Sequence, residues 1–336
     1  MRKRILFRAD GNSSIGLGHI YRLISLVEIY RNKFDFVFVT KSDSELSVIP
    51  SNYSLKLIPI NITIAKESNW LKDNFSQHES IIIADGYQFN SEYQKEIKEI
   101  GFKLIYIDDL VKNHMYADIV INHAPGYIQS DYSKEKYTIF ALGTEFSLLR
   151  PQFINAASRN RGIDKVDSVF ICFGGADPYG LTLEAVKAVL ELKKIKSINV
   201  VIGAAYKDEE IYDISKNNLK VQIFQNLSED EMMELMLNSN FAIAPSSTIL
   251  YELCSVKMPI ICGYYVENQK RIYNSFLNKG AIYGIGNINS FTKIDFSKVI
   301  ETFLSLERYD NYIEIQKQMF DSEIEERFLK LIQEVC

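Results

Sequence analysis

The histidine at position 19 closes a glycine-containing loop in the stretch RADGNSSIGLGHIYRLISL, residues 8 to 26. Ahead of it runs the strand-like segment ILFRA. Behind it Ile20, Leu23, Ile24 and Val27 recur at i, i+3, i+4 and i+7, one apolar face of a helix. His19 therefore falls in a first helical turn, where free amide donors and partial positive charge suit an anion and disfavour an imidazolium. A neutral imidazole there can act as a general base. The same residues admit a plainer reading, in which Gly16 and Gly18 make a turn, Ser13 or Ser14 assists it, and His19 is a helix-end residue. A dinucleotide fingerprint is disfavoured, because Tyr21 stands three residues after Gly18 where GxGxxG requires glycine.

Two later loops carry residues suited to an anionic ligand. In FICFGGADPYGLTLEAV the adjacent Gly174 and Gly175 let backbone approach a ligand, while Asp177-Pro178 fits a helix N-cap followed by proline at the first helical position. In PSSTILYELC, Ser246, Ser247 and Thr248 fall at a helix start, where hydroxyls and amides can hold a diphosphate. Glu252 lies four residues after Thr248 and so shares its helix face. A capping box would need the acid one residue earlier, at Tyr251. Glu252 is thus placed to accept from ribose hydroxyls, with a solvated surface glutamate as the competing reading. Beyond the strand-like PIICGYY, Glu267-Asn268-Gln269 opens another helix, whose amides can read a second part of the ligand.

These loops need elements to position them, and the chain alternates runs of β-branched and aromatic residues with helical periodicity, the pattern of parallel α/β layers. Strand candidates are ILFRA, DFVFVT, SIIIAD, KLIYID, DIVIN and YTIFAL in the first half. The second half offers SVFICFGG, SINVVIG, KVQIFQ, NFAIAP and MPIICGYY. At 336 residues, two domains are expected. Residues 1–150 form the first, 151–165 a linker where apolar pattern lapses, 166–305 the second, and 306–336 a solvated helical tail. A net charge of −5 without basic clustering argues against a nucleic-acid partner. No apolar run is long enough to span a bilayer, and the short apolar stretch after the basic start is no signal peptide, so a cytoplasmic protein without stable membrane insertion is expected. The four cysteines lack CxxC spacing, mostly sit inside apolar runs, and read as thiols buried there rather than as disulfides or zinc ligands.

In this order, the GxGH loop, the GGADP loop and the SSTxxxE loop followed by a strand and ENQ resemble nucleotide-sugar enzymes of the GT-B fold, including the MurG-like transferases. The sequence is most similar to the PseG/SpsG-like hydrolases of the pseudaminic acid pathway, which remove UDP from UDP-2,4-diacetamido-2,4,6-trideoxy-β-L-altropyranose. The resemblance runs from ILFRADG to ENQ; residues 41–78 carry no recognisable motif, and the helical sequence after residue 290 is additional. It implies two Rossmann-like parallel-sheet domains facing a cleft, and it makes His19 the catalytic base. Its Asp-x-Tyr matches Asp85-Gly86-Tyr87, its paired acids Asp108-Asp109, its Asn-Gln Asn268-Gln269, and its G-x-x-[YF]-x-L-[IL]-R segment Gly143 to Arg150. The implied sugar site comprises Asp10, Ser14, Gly16, Gly18, Arg22, Asp85, Tyr87, Asn122, Arg150, Asn268 and Gln269. The UDP site comprises Gly174, Gly175, Ser246, Ser247, Thr248 and Glu252.

The expected reaction is hydrolysis of a UDP-sugar with inversion at the anomeric carbon. His19 takes a proton from water while helix N-termini stabilise the departing diphosphate, with no metal or other cofactor. The four histidines lie apart in sequence and no HExxH occurs, although Asp108-Asp109 leaves a DxD-like metal site open. Two other readings remain: a GT-B glycosyltransferase passing the sugar to an acceptor hydroxyl, and a nucleotide-sugar-binding subunit without turnover. The oligomeric state is not legible.

Overall fold

The computed structural model describes residues 3–12, 15–306 and 308–336; Ser13 and Ser14 of the glycine loop lie outside them. The chain forms two compact units, the first from residues 1–151 and 323–336, the second from residues 152–322.

The first unit is built on seven strands: β1 (Arg4–Ala9), β2 (Asp35–Lys41), β3 (Leu55–Ile58), β4 (Ser80–Asp85), β5 (Lys103–Ile107), β6 (Ile119–Asn122) and β7 (Ile139–Leu142). Their order is β3-β2-β1-β4-β5-β6-β7, and every pairing is parallel. Ser80–Asp85 is buried along its whole length, as expected of a strand covered on both faces. Leu6, Ile82, Leu104 and Val120 from successive strands meet Phe89, Ile97 and Phe102 in one core cluster.

In the second unit the strands are β8 (Ser168–Ile171), β9 (Ser197–Ile202), β10 (Val221–Gln225), β11 (Phe241–Pro245), β12 (Ile260–Tyr264) and β13 (Tyr283–Asn287). Their order is β10-β9-β8-β11-β12-β13, again parallel throughout. In both sheets the chain winds outward from the first strand in one direction and then restarts on its other side. The switch lies between β1 and β4 in one sheet, between β8 and β11 in the other. Ligands of open α/β sheets bind at such points, beyond the carboxyl ends of the strands.

Three expectations need correction. Two strands were not foreseen, β3 and β13. Both are edge strands with weak apolar signal: Leu55–Leu57 are exposed, and Gly284 and Gly286 interrupt the other. Part of the linker at 151–165 is a helix, Pro151–Ala157, with Phe153 and Ile154 buried. The tail at 306–336 is neither one segment nor solvated. The helix Asp310–Met319 stays in the second unit, where Gln316 donates to the carbonyls of Met258 and Ala281. The helix Ile324–Leu331 returns to the first unit, where Ile324 and Phe328 are fully buried and Tyr30 donates to the Phe328 carbonyl at 2.9 Å.

Candidate functional site

The helix Gly18–Tyr30 follows β1, and it places His19 in its first turn as the periodicity requires. Asp85 is the last residue of β4, so the two side chains meet across the first unit's switch point. His19 Nδ1 lies 2.7 Å from Asp85 Oδ1, and both residues are buried. Arg22, one helical turn after His19, donates Nε to Asp85 Oδ2 at 2.8 Å and Nη2 to Oδ1 at 2.7 Å, while its Nη1 reaches Asp109 Oδ2 at 3.1 Å. Burial opposes ionisation of Asp85, but the Arg22 charge and the His19 hydrogen bond outweigh it and hold the carboxyl below the ordinary carboxylate range. Burial likewise opposes the Arg22 charge, and Asp85 and Asp109 raise it above its ordinary value.

This ionised carboxylate assigns the imidazole tautomer. Arg22 Nη2 also stands 2.8 Å from His19 Nδ1, but two acceptors 2.7 Å apart would repel, so Nδ1 carries the hydrogen that Asp85 accepts. Nε2 is then the nitrogen with the free lone pair, the arrangement a general base requires. Tyr87 stands edge-on to the imidazole with ring centroids 4.8 Å apart, and its hydroxyl donates to Asp109 Oδ2 at 3.2 Å. Burial first, then the Asp109 charge, pushes the Tyr87 phenol up to about 12.

Other expected sugar contacts are placed differently. Asp10 is buried, and both of its oxygens are taken by Arg8, Thr40, the Lys41 amide and Gln88. Asn122 is fully buried, donating to Tyr132 and accepting from the Ala124 amide. Both are committed to the protein's own hydrogen bonds. Gly16 adopts φ +83, a left-handed conformation that explains a glycine there, and its amide closes the loop on the Asn12 carbonyl. Gly18 opens the helix, and Arg150 is half-buried just before the chain enters Pro151–Ala157.

Sequence reasoning missed two groups. His123 follows β6 and is buried; burial and then the Arg22 charge depress its pKa to about 3, and its Nδ1 accepts from the Leu148 amide, leaving hydrogen on Nε2. Only tertiary structure brings it near Arg22, from a histidine a hundred residues away in sequence. The other is a buried Arg8 held by Asp10 and, through paired contacts of 2.7 and 2.8 Å, by Glu67. Glu67 sits in the segment that carried no motif. Among the described residues, no group of three His, Cys, Asp or Glu side chains could hold a metal ion.

The second unit's switch point is of another kind. Gly174, at φ +90, and Gly175 follow β8, and a side chain on Gly203 after β9 would collide with the Gly175 backbone. The helix in this loop starts at Leu181 rather than after Asp177, so Pro178 is not its first residue. Asp177 caps it nonetheless, its oxygens accepting from the Leu181 and Thr182 amides at 3.0 and 2.7 Å. That N-terminus already holds a carboxylate. The helix Thr248–Ser255 after β11 has no side-chain cap, with Ser247 half-buried and Thr248 exposed at its mouth. Ser246 is fully buried, donating to the Gln269 carbonyl at 3.0 Å, so its hydroxyl joins two loops. Glu252 lies one turn inside this helix and is buried. Gln269 is buried with Oε1 on the Tyr265 amide, whereas Asn268 is exposed.

Comparison with known proteins fits this architecture. No family model matches the chain. It is 29% identical over 287 residues to the UDP-2,4-diacetamido-2,4,6-trideoxy-beta-L-altropyranose hydrolase of Campylobacter jejuni subsp. jejuni serotype O:2, covering 82% of this chain and 97% of that one. It is 25% identical to the spore coat polysaccharide biosynthesis protein SpsG of Bacillus subtilis, covering 83% and 82%. It is 27% identical to the uncharacterized protein MJ1062 of Methanocaldococcus jannaschii over 82% of this chain, and spans 58% of that relative's length. Among solved structures, Acinetobacter baumannii MurG matches with a TM-score of 0.69 at 10% identity over 98% of this chain and 99% of that one. Methanocaldococcus jannaschii UDP-GlcNAc 2-epimerase in complex with UDP-GlcNAc and UDP matches with a TM-score of 0.60 at 14% identity, over 99% of each chain. Two Rossmann-like parallel-sheet units with these neighbours define a GT-B fold. In sequence the chain is similar to the Campylobacter jejuni hydrolase and to SpsG over more than four fifths of its length.

Proposed function

We propose that this protein hydrolyses a UDP-activated diacetamido-trideoxy sugar to the free sugar and UDP, in a pseudaminic-acid-type pathway. The observation that carries the reading is the His19–Asp85 contact at the first unit's switch point, in a chain similar to a named UDP-sugar hydrolase over nearly that relative's whole length. His19 Nε2 removes a proton from water as the water oxygen bonds to the anomeric carbon. The bond from that carbon to the diphosphate oxygen breaks, its electron pair leaves with UDP, and the anomer inverts. Asp85 keeps the Nδ1 hydrogen and stabilises the imidazolium until its extra proton passes to solvent. The second unit binds UDP through the Gly174-Gly175 loop, Ser247, Thr248 and Glu252, and the helix amides at Thr248 stabilise the leaving diphosphate without a metal.

The test is incubation of the pure protein with a panel of UDP-sugars without acceptor, with and without EDTA, following UDP and reading the product anomer by NMR at early times. Metal-independent release of UDP with an inverted free sugar is expected. Release only on adding an acceptor hydroxyl would make it a transferase, and no release from any UDP-sugar would make it a binding subunit.

A further inference from the structure

We propose that Gln88 is a positioning residue: tethered to Asp10, it sets the Tyr87 ring against His19. The inference rests on the functional reading above only in giving His19 its task. The loop after β4 turns at Gly86, φ +157, and the Gln88 side chain folds back beneath it: a Cβ on Gly86 would lie 2.5 Å from Gln88 Oε1. From there Gln88 Nε2 donates to Asp10 Oδ2 at 3.2 Å. Tyr87, between the two, is turned outward, half-exposed, with its ring edge-on to the imidazole.

The anchor itself is stiff. Asp10 is gripped by Arg8 at 2.5 and 2.8 Å and accepts from the Lys41 amide at 2.8 Å, and Arg8 is held in turn by Glu67, which also accepts from Tyr93 at 2.9 Å. A side chain whose rotamer is locked by buried, charge-assisted hydrogen bonds makes a fixed reference for a loop, and Gln88 carries that fixity across from β1 to the loop after β4. Asp10, whose oxygens are occupied, thus serves the site through Gln88.

The test uses the full chain and two substitutions, Gln88→Leu, which keeps bulk but cannot donate, and Tyr87→Ala. The first readout needs no substrate: the His19 imidazole proton resonances, which sense the ring current of Tyr87. They are expected to move in Gln88→Leu toward their positions in Tyr87→Ala, with the unfolding midpoint and UDP affinity unchanged. In UDP release, Gln88→Leu is expected to lower kcat by about ten- to a hundredfold, up to the scale of a ~1 Å misplacement, and to have no further effect in a Tyr87→Ala background. His19 resonances unmoved by Gln88→Leu, or kinetic effects that add, would overturn the inference. Absence of UDP release by the unsubstituted protein would overturn the hydrolase reading while leaving the resonance test to decide this one.

Discussion

The two switch points of this chain occupy equivalent places in their sheets and are furnished in opposite ways. Beyond β1, β4 and β5 stand His19, Arg22, Asp85 and Asp109, ionisable side chains that bond to one another, His19 and Asp85 buried and Arg22 and Asp109 half-buried. Beyond β8 and β11 stand two adjacent glycines, an uncapped helix N-terminus and the partly open Ser247 and Thr248. The first arrangement can hold and move a proton at a defined nitrogen. The second offers backbone donors and close approach, which suit a diphosphate. In the function proposed above, one topology serves catalysis in one unit and ligand grip in the other, and the difference lies in a few residues after each strand.

Substitutions should therefore separate turnover from nucleotide affinity. After removal of His19 itself, the largest effect is expected of Asp85→Asn, which spoils the His19 tautomer: kcat for UDP release should fall by about a hundredfold or more, with UDP affinity by calorimetry unchanged. The same substitution changes the acid limb of stability. Asp85 is held below its unfolded-chain value, so its contribution is complete above about pH 4 and is lost as the pH falls through the lower folded-state value. Denaturation midpoints from pH 5 downward should accordingly fall less steeply in Asp85→Asn than in the unsubstituted protein.

Arg8→Met should be next, as a stability effect. It leaves Glu67 and Asp10 buried without their cation, at a cost of about 3–5 kcal/mol in urea unfolding. Gly203→Ala tests the other unit, because its methyl group would displace the Gly175 backbone. About 1–3 kcal/mol of destabilisation and weaker UDP binding should result, whereas an unaltered UDP affinity would remove Gly175 from the nucleotide site. The smallest effect is expected of Glu252→Gln, a loss of about tenfold in UDP affinity from one weakened charge-assisted hydrogen bond, with kcat for bound substrate little changed.

What was legible in the sequence follows the physics of each feature. Buried parallel strands such as β4 are continuous apolar runs and were readable, and so were the helix opening around His19, which periodicity places, and the one at Thr248, which the serine loop marks. The edge strands β3 and β13 escaped, since one face is solvated or glycine interrupts the run. The motif residues picked out His19, Asp85 and Tyr87, and the fold brings the three together. Local pattern could not tell that Asp10, Asn122 and Ser246 spend their polar atoms on the protein itself, because the partners come from other strands and loops. His123 and Glu67 were invisible for the same reason: a lone histidine and a helical glutamate acquire meaning only when the sheet brings Arg22 and Arg8 beside them. The closing helix Ile324–Leu331 looked solvated because its charges alternate with the apolar residues that it buries.

The division of labour between the units is tested most directly by His19→Ala, measured for both UDP affinity and UDP release. Binding of UDP by calorimetry should be unchanged, while release of UDP from saturating substrate should fall by about 10²- to 10⁴-fold. Release at the original rate, or loss of UDP binding along with it, would contradict the assignment of chemistry to the first unit and nucleotide grip to the second.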